Sequence, residues 1–77
     1  MYYRLYDKQA EDYLYTGYNS KNIKELTDSY RDLMIESGDW DVLIVNMFNN
    51  STKKEKIEFI ELFDYKLEKS KNKFKTL

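Results

Sequence analysis

The sequence predicts an α+β fold, with an N-terminal antiparallel β-hairpin, two or three helices and a C-terminal third strand. Three observations carry that reading. Six of the eight tyrosines fall within residues 2–18, where aromatic side chains favour a pleated strand. Ile23, Leu26, Tyr30, Leu33 and Met34 recur at helical spacing with charged residues between them. Phe63, Tyr65 and Leu67 alternate with Asp64, Lys66 and Glu68, as on a half-buried strand.

The first strand is read at residues 2–6, Asp7 to Asp12 as a polar break, and residues 13–18 as the returning strand. Alternation places Tyr3 and Leu5 on one face, opposite Tyr2, Arg4 and Tyr6. Gly17 marks a bulge or a close approach of the backbone. Asn19-Ser20 offers cap oxygens for the first helix, which should stop near Gly38, a residue suited to positive φ just past a helix end. For residues 39–48, an aspartate cap opening a short helix is preferred over a strand, although a short apolar run fits both. Thr52, with Glu55 three residues on, forms a capping box for a helix through about Glu61. From Leu62 a continuing helix competes with a strand; the strand is adopted because a two-stranded ribbon needs a third member. Residues 1–77 thus form one small domain, with 69–77 read as a frayed basic tail.

A chain this short buries only roughly 60–65% of the surface its unfolded form exposes. A core of that size rarely supplies more than about 3–5 kcal/mol, so a homodimer is one expected source of stability. With neither Cys nor His, disulfides and thiolate or imidazole metal sites are excluded, and no cofactor is expected. The absence of Cys and of an apolar leader suggests the cytoplasm. The longest apolar run, Val42 to Val45, is far below the roughly 20 residues of a membrane span, so no membrane partner is expected.

Catalysis is not expected either. An acid–base pair would have to come from Asp or Glu, which are scattered along the helices. Asp39-Trp40-Asp41 begins like a calcium loop, but Leu43 and Ile44 stand where an oxygen ligand and a glycine are needed. An aspartate cap with Trp40 in the core is the better reading. Gly17 and Gly38 are too far apart to cradle a phosphate.

Binding is the remaining class, and the tyrosines indicate where. They exceed what a small core can hold, and exposed tyrosines give rigid, amphipathic contact area. Tyr2, Tyr6, Tyr13 and Tyr15, with Asp28 and Asp32 on the acidic helix, are therefore the candidate partner-binding residues. An A/T-rich coding bias would also enrich tyrosine and lysine, so abundance alone carries little weight. The first fifty residues hold nine acidic groups against five basic, whereas residues 51–77 hold eight basic against five acidic. An acidic body disfavours phosphate-backbone binding; the alternative is a nucleic-acid contact through Lys69, Lys71, Lys73 and Lys75. A structural homo-oligomer is a further alternative.

The runs Tyr-Arg-Leu-Tyr-Asp-Lys at 3–8, Tyr-Leu-Tyr-Thr-Gly-Tyr-Asn-Ser at 13–20 and Lys-Glu-Leu at 24–26 carry a resemblance spanning roughly residues 2–36. The chain resembles small proteins common in phages and mobile elements of low-GC Gram-positive bacteria. That group includes host-takeover proteins, among them inhibitors of CRISPR nucleases. The resemblance implies no fixed activity, since the group also includes accessory proteins, and it assigns no functional residue. Aromatic density and charge asymmetry make a non-enzymatic module that binds a host protein in a bacterial cytoplasm the leading expectation.

Overall fold

The computed structural model describes residues 1–77. It contains β1 (Tyr2–Asp7), β2 (Asp12–Tyr13), α1 (Ile23–Glu36), α2 (Val42–Asn49), α3 (Lys53–Leu62) and β3 (Tyr65–Ser70). The three strands form an antiparallel sheet in the order β2-β1-β3. This is the α+β arrangement expected, with hairpin and third strand in place. β1 is central, opposing Tyr13 at Tyr6, Glu68 at Arg4 and Leu67 at Leu5.

The returning strand is much shorter than the aromatic run suggests. β2 ends at Tyr13, and the chain leaves the sheet through turns in which Tyr18 N–H donates to Tyr15 O and Ser20 N–H to Gly17 O. It rejoins the sheet only at a bridge between Ser20 and Tyr3. Gly17 and Asn19 make this excursion possible, at φ of 76° and 61°. Gly17 is also where the backbone presses on the core, since a Cβ there would lie 2.8 Å from Leu26 Cδ1. Gly17→Ala combines strain with that clash and is expected to lower stability by about 1–2 kcal/mol in urea unfolding.

The helix caps are local and mostly follow the sequence signals. α1 is capped by Asn22, whose Oδ1 accepts from Glu25 N–H at 2.8 Å, and not by Asn19-Ser20. Those two residues are engaged elsewhere, Ser20 with Tyr3 and Asn19 with Phe74. Gly38, at φ 78°, follows the Ser37 C-cap. Asp41 caps α2 by accepting from Ile44 N–H at 3.0 Å, so residues 42–49 are helical. The capping box of Thr52 and Glu55 opens α3 with both reciprocal bonds made.

β3 begins later and ends later than the alternation alone places it. α3 runs to Leu62, and Asp64 at φ 66° reverses the chain, so pairing starts at Tyr65 and continues through Lys69 and Ser70. The tail beyond Ser70 is tied down. Asn19 donates to Phe74 O at 3.1 Å and accepts from Phe74 N–H at 2.7 Å, while Tyr18 OH donates to Lys75 O at 2.6 Å. The expectation of a frayed 69–77 is corrected accordingly: two side chains from the β2–α1 loop supply partners that a charge count does not reveal.

α1 packs on β1 and α3 on β3, covering the Leu5 face of the sheet, while α2 packs on α1. Leu5, Leu26, Tyr30, Met34, Phe48 and Ile60 form the buried core, with Leu67 and Tyr65 from β3 packed against it. Thr27 is the single buried polar side chain, and its hydroxyl donates to Lys24 O.

Candidate functional site

Alternation along β1 sends Arg4 and Tyr6 to the face of the sheet opposite Leu5. There Arg4 becomes a hub. Its Nε donates to Glu68 Oε1 at 2.7 Å, and its two terminal nitrogens donate to the hydroxyls of Tyr18 and Tyr13, each at 3.0 Å. The guanidinium carbon lies 3.9 Å from the Tyr13 ring centre and 4.0 Å from that of Phe74. Burial opposes the charge, but the bonds to Glu68 and Tyr18 outweigh it and raise the Arg4 pKa. Tyr6 stacks edge-on against Tyr13, and Tyr13 against Tyr18.

The tyrosine surplus is thereby largely explained. Tyr6, Tyr13 and Tyr18, with Phe74, make a second, thinner aromatic layer around one cation, outside the main core. Tyr2 is half-buried on the same face, and Tyr15, 81% exposed, is the one tyrosine standing in solvent. Asp28 and Asp32 lie on α1, across the sheet from these tyrosines, so the six candidate residues do not form one face. Both acids are engaged within their own helix, Asp28 with Lys24 and Arg31, and Asp32 with Arg31.

The hydrogen bond from Lys24, followed by the charges of Lys24 and Arg31, holds the Asp28 carboxyl below its ordinary value of 3.8. A lowered folded pKa stabilises the protein above the unfolded value, and that contribution disappears as pH falls through the folded value. Asp28→Asn is therefore expected to narrow the stability difference between neutral pH and pH 3. Thermal melts across that range measure it; the pair is partly exposed, so the effect stays below about 1 kcal/mol. Of the lysines, Lys69 lies within β3, opposite Tyr3, while Lys71, Lys73 and Lys75 are exposed along the segment that Phe74 anchors.

A different surface emerges around α2. This helix contains no charged residue, and of its side chains only Phe48 is buried. Val42 and Leu43 are each 74% exposed and Met47 65%, with Leu43 and Met47 one turn apart. Next to Leu43, Ile44 lines a cleft of about 390 Å³ that Leu62 and Phe63 at the end of α3, both exposed, also line. The cleft reaches Tyr30, Trp40, Phe59 and Tyr65. Asp39 and Asp64 also line it, and no Lys or Arg does. Burial, then the charges of Asp7 and Asp39, raises the pKa of the Tyr65 hydroxyl; burial, then Tyr65, Asp39 and Asp7, raises that of Tyr30.

Asp39-Trp40-Asp41 resolves into three tasks. Asp39 accepts from the Ser37 hydroxyl at 2.7 Å, Trp40 packs on Tyr30, Phe48 and Phe59, and Asp41 caps α2. No three acidic side chains converge to hold a metal ion, and no helix is long and apolar enough to cross a membrane. No family model, curated protein or solved structure matches the chain. The sequence holds a signal for the α2 surface: a capped, uncharged run of apolar residues too short to bury more than one side. Its weight was hidden by the more conspicuous tyrosines.

Proposed function

We propose that this protein is a non-enzymatic protein-binding module whose docking surface is the exposed side of α2 together with the rim of the adjoining cleft. The exposure of Val42, Leu43 and Met47 on an uncharged helix carries the reading. Scattered exposed apolar residues are ordinary, but adjacent ones beside an aromatic cleft mark interaction surfaces. In the phage and mobile-element setting that the sequence resembles, the proposed action is occlusion of a host defence protein, a CRISPR nuclease being one such target.

The test uses Leu43→Ser with Met47→Ser. Because both side chains are exposed, the urea midpoint should stay within about 0.5 kcal/mol of wild type. Proteins retained from a bacterial lysate by the wild type should be lost by the variant. Tyr15→Ala is the matched control on the tyrosine surface, since Tyr15 holds nothing in the fold. Equal retention by wild type and the α2 variant would reject this surface, and a selective loss with Tyr15→Ala would move the interface to the hairpin.

A further inference from the structure

We propose that the cleft beside α2 receives a basic side chain, an arginine guanidinium or lysine ammonium, from the bound protein. This rests on the protein-binding reading and names what the cleft selects.

The opposite side of the sheet shows how this fold holds a cation. There Arg4 is held by aromatic rings, two tyrosine hydroxyls and a carboxylate. The cleft assembles the same kinds of group around no cation of its own. Tyr30 packs edge-on against both Trp40 and Tyr65, at 5.5 and 5.2 Å between ring centres, and Phe59 continues the wall at 5.4 Å from Trp40. Rings of this kind attract a cation placed over their faces, Trp most strongly. Asp39 and Asp64 supply the carboxylates, and neither is in an ion pair. Each has only a neutral partner, the Ser37 hydroxyl and the Gln9 amide.

Tyr30 is the second, independent observation. It is 1% exposed and lines the cleft, yet its hydroxyl makes no hydrogen bond within the protein. No fully enclosed polar side-chain atom in the molecule lacks a partner, so this hydroxyl keeps a little contact with solvent, and Tyr30 is part of the cleft's wall. It can accept an N–H from an incoming cation. A purely apolar ligand would leave the hydroxyl unpaired and desolvate two carboxylates, and an anion would be repelled by them. Lys8 and Lys66 are the nearest bases in sequence to the cleft-lining Gln9 and Tyr65; both are exposed and absent from the lining.

Trp40 is the only tryptophan, so its fluorescence reports on this cleft alone. Titration with N-acetyl-arginine amide should give a saturable change in the millimolar range, with N-acetyl-lysine amide also effective. The neutral isostere N-acetyl-citrulline amide should bind roughly tenfold more weakly. Asp39→Asn with Asp64→Asn should weaken the arginine response severalfold; asparagine tolerates the positive φ at 64. Tyr30→Phe should weaken it with the urea midpoint kept. Leu43→Ser with Met47→Ser should leave it unchanged, which separates this inference from the α2 surface: undiminished protein capture by that variant with an intact arginine response rejects only the latter. Equal responses to arginine and citrulline amides, or a response untouched by the double asparagine variant, would overturn the proposal. So would a concentration-dependent dimer that shields Trp40 from the cation, which would make a second copy of this chain the occupant.

Discussion

Arg4→Met is expected to lower the stability of this domain by about 3 kcal/mol, measured as a fall in urea midpoint at constant m-value. Methionine keeps the packing of the side-chain stem and removes the planar, charged head. What is lost is a bond to Glu68 at 2.7 Å, two bonds to tyrosine hydroxyls at 3.0 Å, and stacking on Tyr13 and Phe74. Charge-assisted hydrogen bonds contribute about 1.5–3 kcal/mol each when well shielded. The Arg4 and Glu68 side chains keep 18% and 26% of their exposure, so solvent screening reduces the ion pair itself to about 1 kcal/mol.

The effect should spread to the tail. Phe74 is held by its stack on the guanidinium, by the Tyr18 ring and by Asn19, so removing the guanidinium takes away one of three attachments and loosens the Tyr18 that supplies another. Trypsin should then cut at Lys71 and Lys73 several times faster in the variant. Arg4→Lys is the informative control, because an ammonium keeps the charge yet cannot form three bonds in the plane that the guanidinium uses. It should fall between wild type and Arg4→Met. A change below about 1 kcal/mol for Arg4→Met would mean that the aromatic layer holds itself together without its cation.

Arg4 also illustrates which features can be read from the sequence. Helices signal themselves locally: the capping box at Thr52 and Glu55, the aspartate before Val42 and the glycine after α1 each act within four residues. The face assignments of β1 are equally local, since pleating is set by alternation. By contrast, the early end of β2 depends on Gly17 meeting Leu26 and on Ser20 finding Tyr3. The anchored tail depends on Asn19 meeting a residue 55 positions away. The hub around Arg4 joins positions 4, 13, 18, 68 and 74, and nothing in any one segment announces it. Tyrosine abundance was visible, whereas its distribution between an internal cation and a solvent face required the fold. The same holds for the cleft, whose lining residues are spread from Gln9 to Tyr65.

Phe48→Ala is expected to be the most damaging single change, lowering stability by about 3–5 kcal/mol, enough to unfold much of the population of a domain this small. Phe48 is the only buried residue of α2 and stacks on Trp40 and Phe59 at 4.9 and 5.9 Å. Truncation opens a cavity at the one point where α2 is attached to the core. An eight-residue helix has no independent stability in water, so α2 should exchange its amide protons far faster than α1 or α3 under conditions that keep the rest folded. Uniform exchange across all three helices would instead mean that Phe48 belongs to a single cooperative core. The contrast within one helix is what matters for function. Phe48 mounts α2, whereas Leu43 and Met47 contribute little to the fold and remain in solvent. An apolar stripe that does not stabilise its own domain requires a different explanation, and docking to a protein surface supplies one.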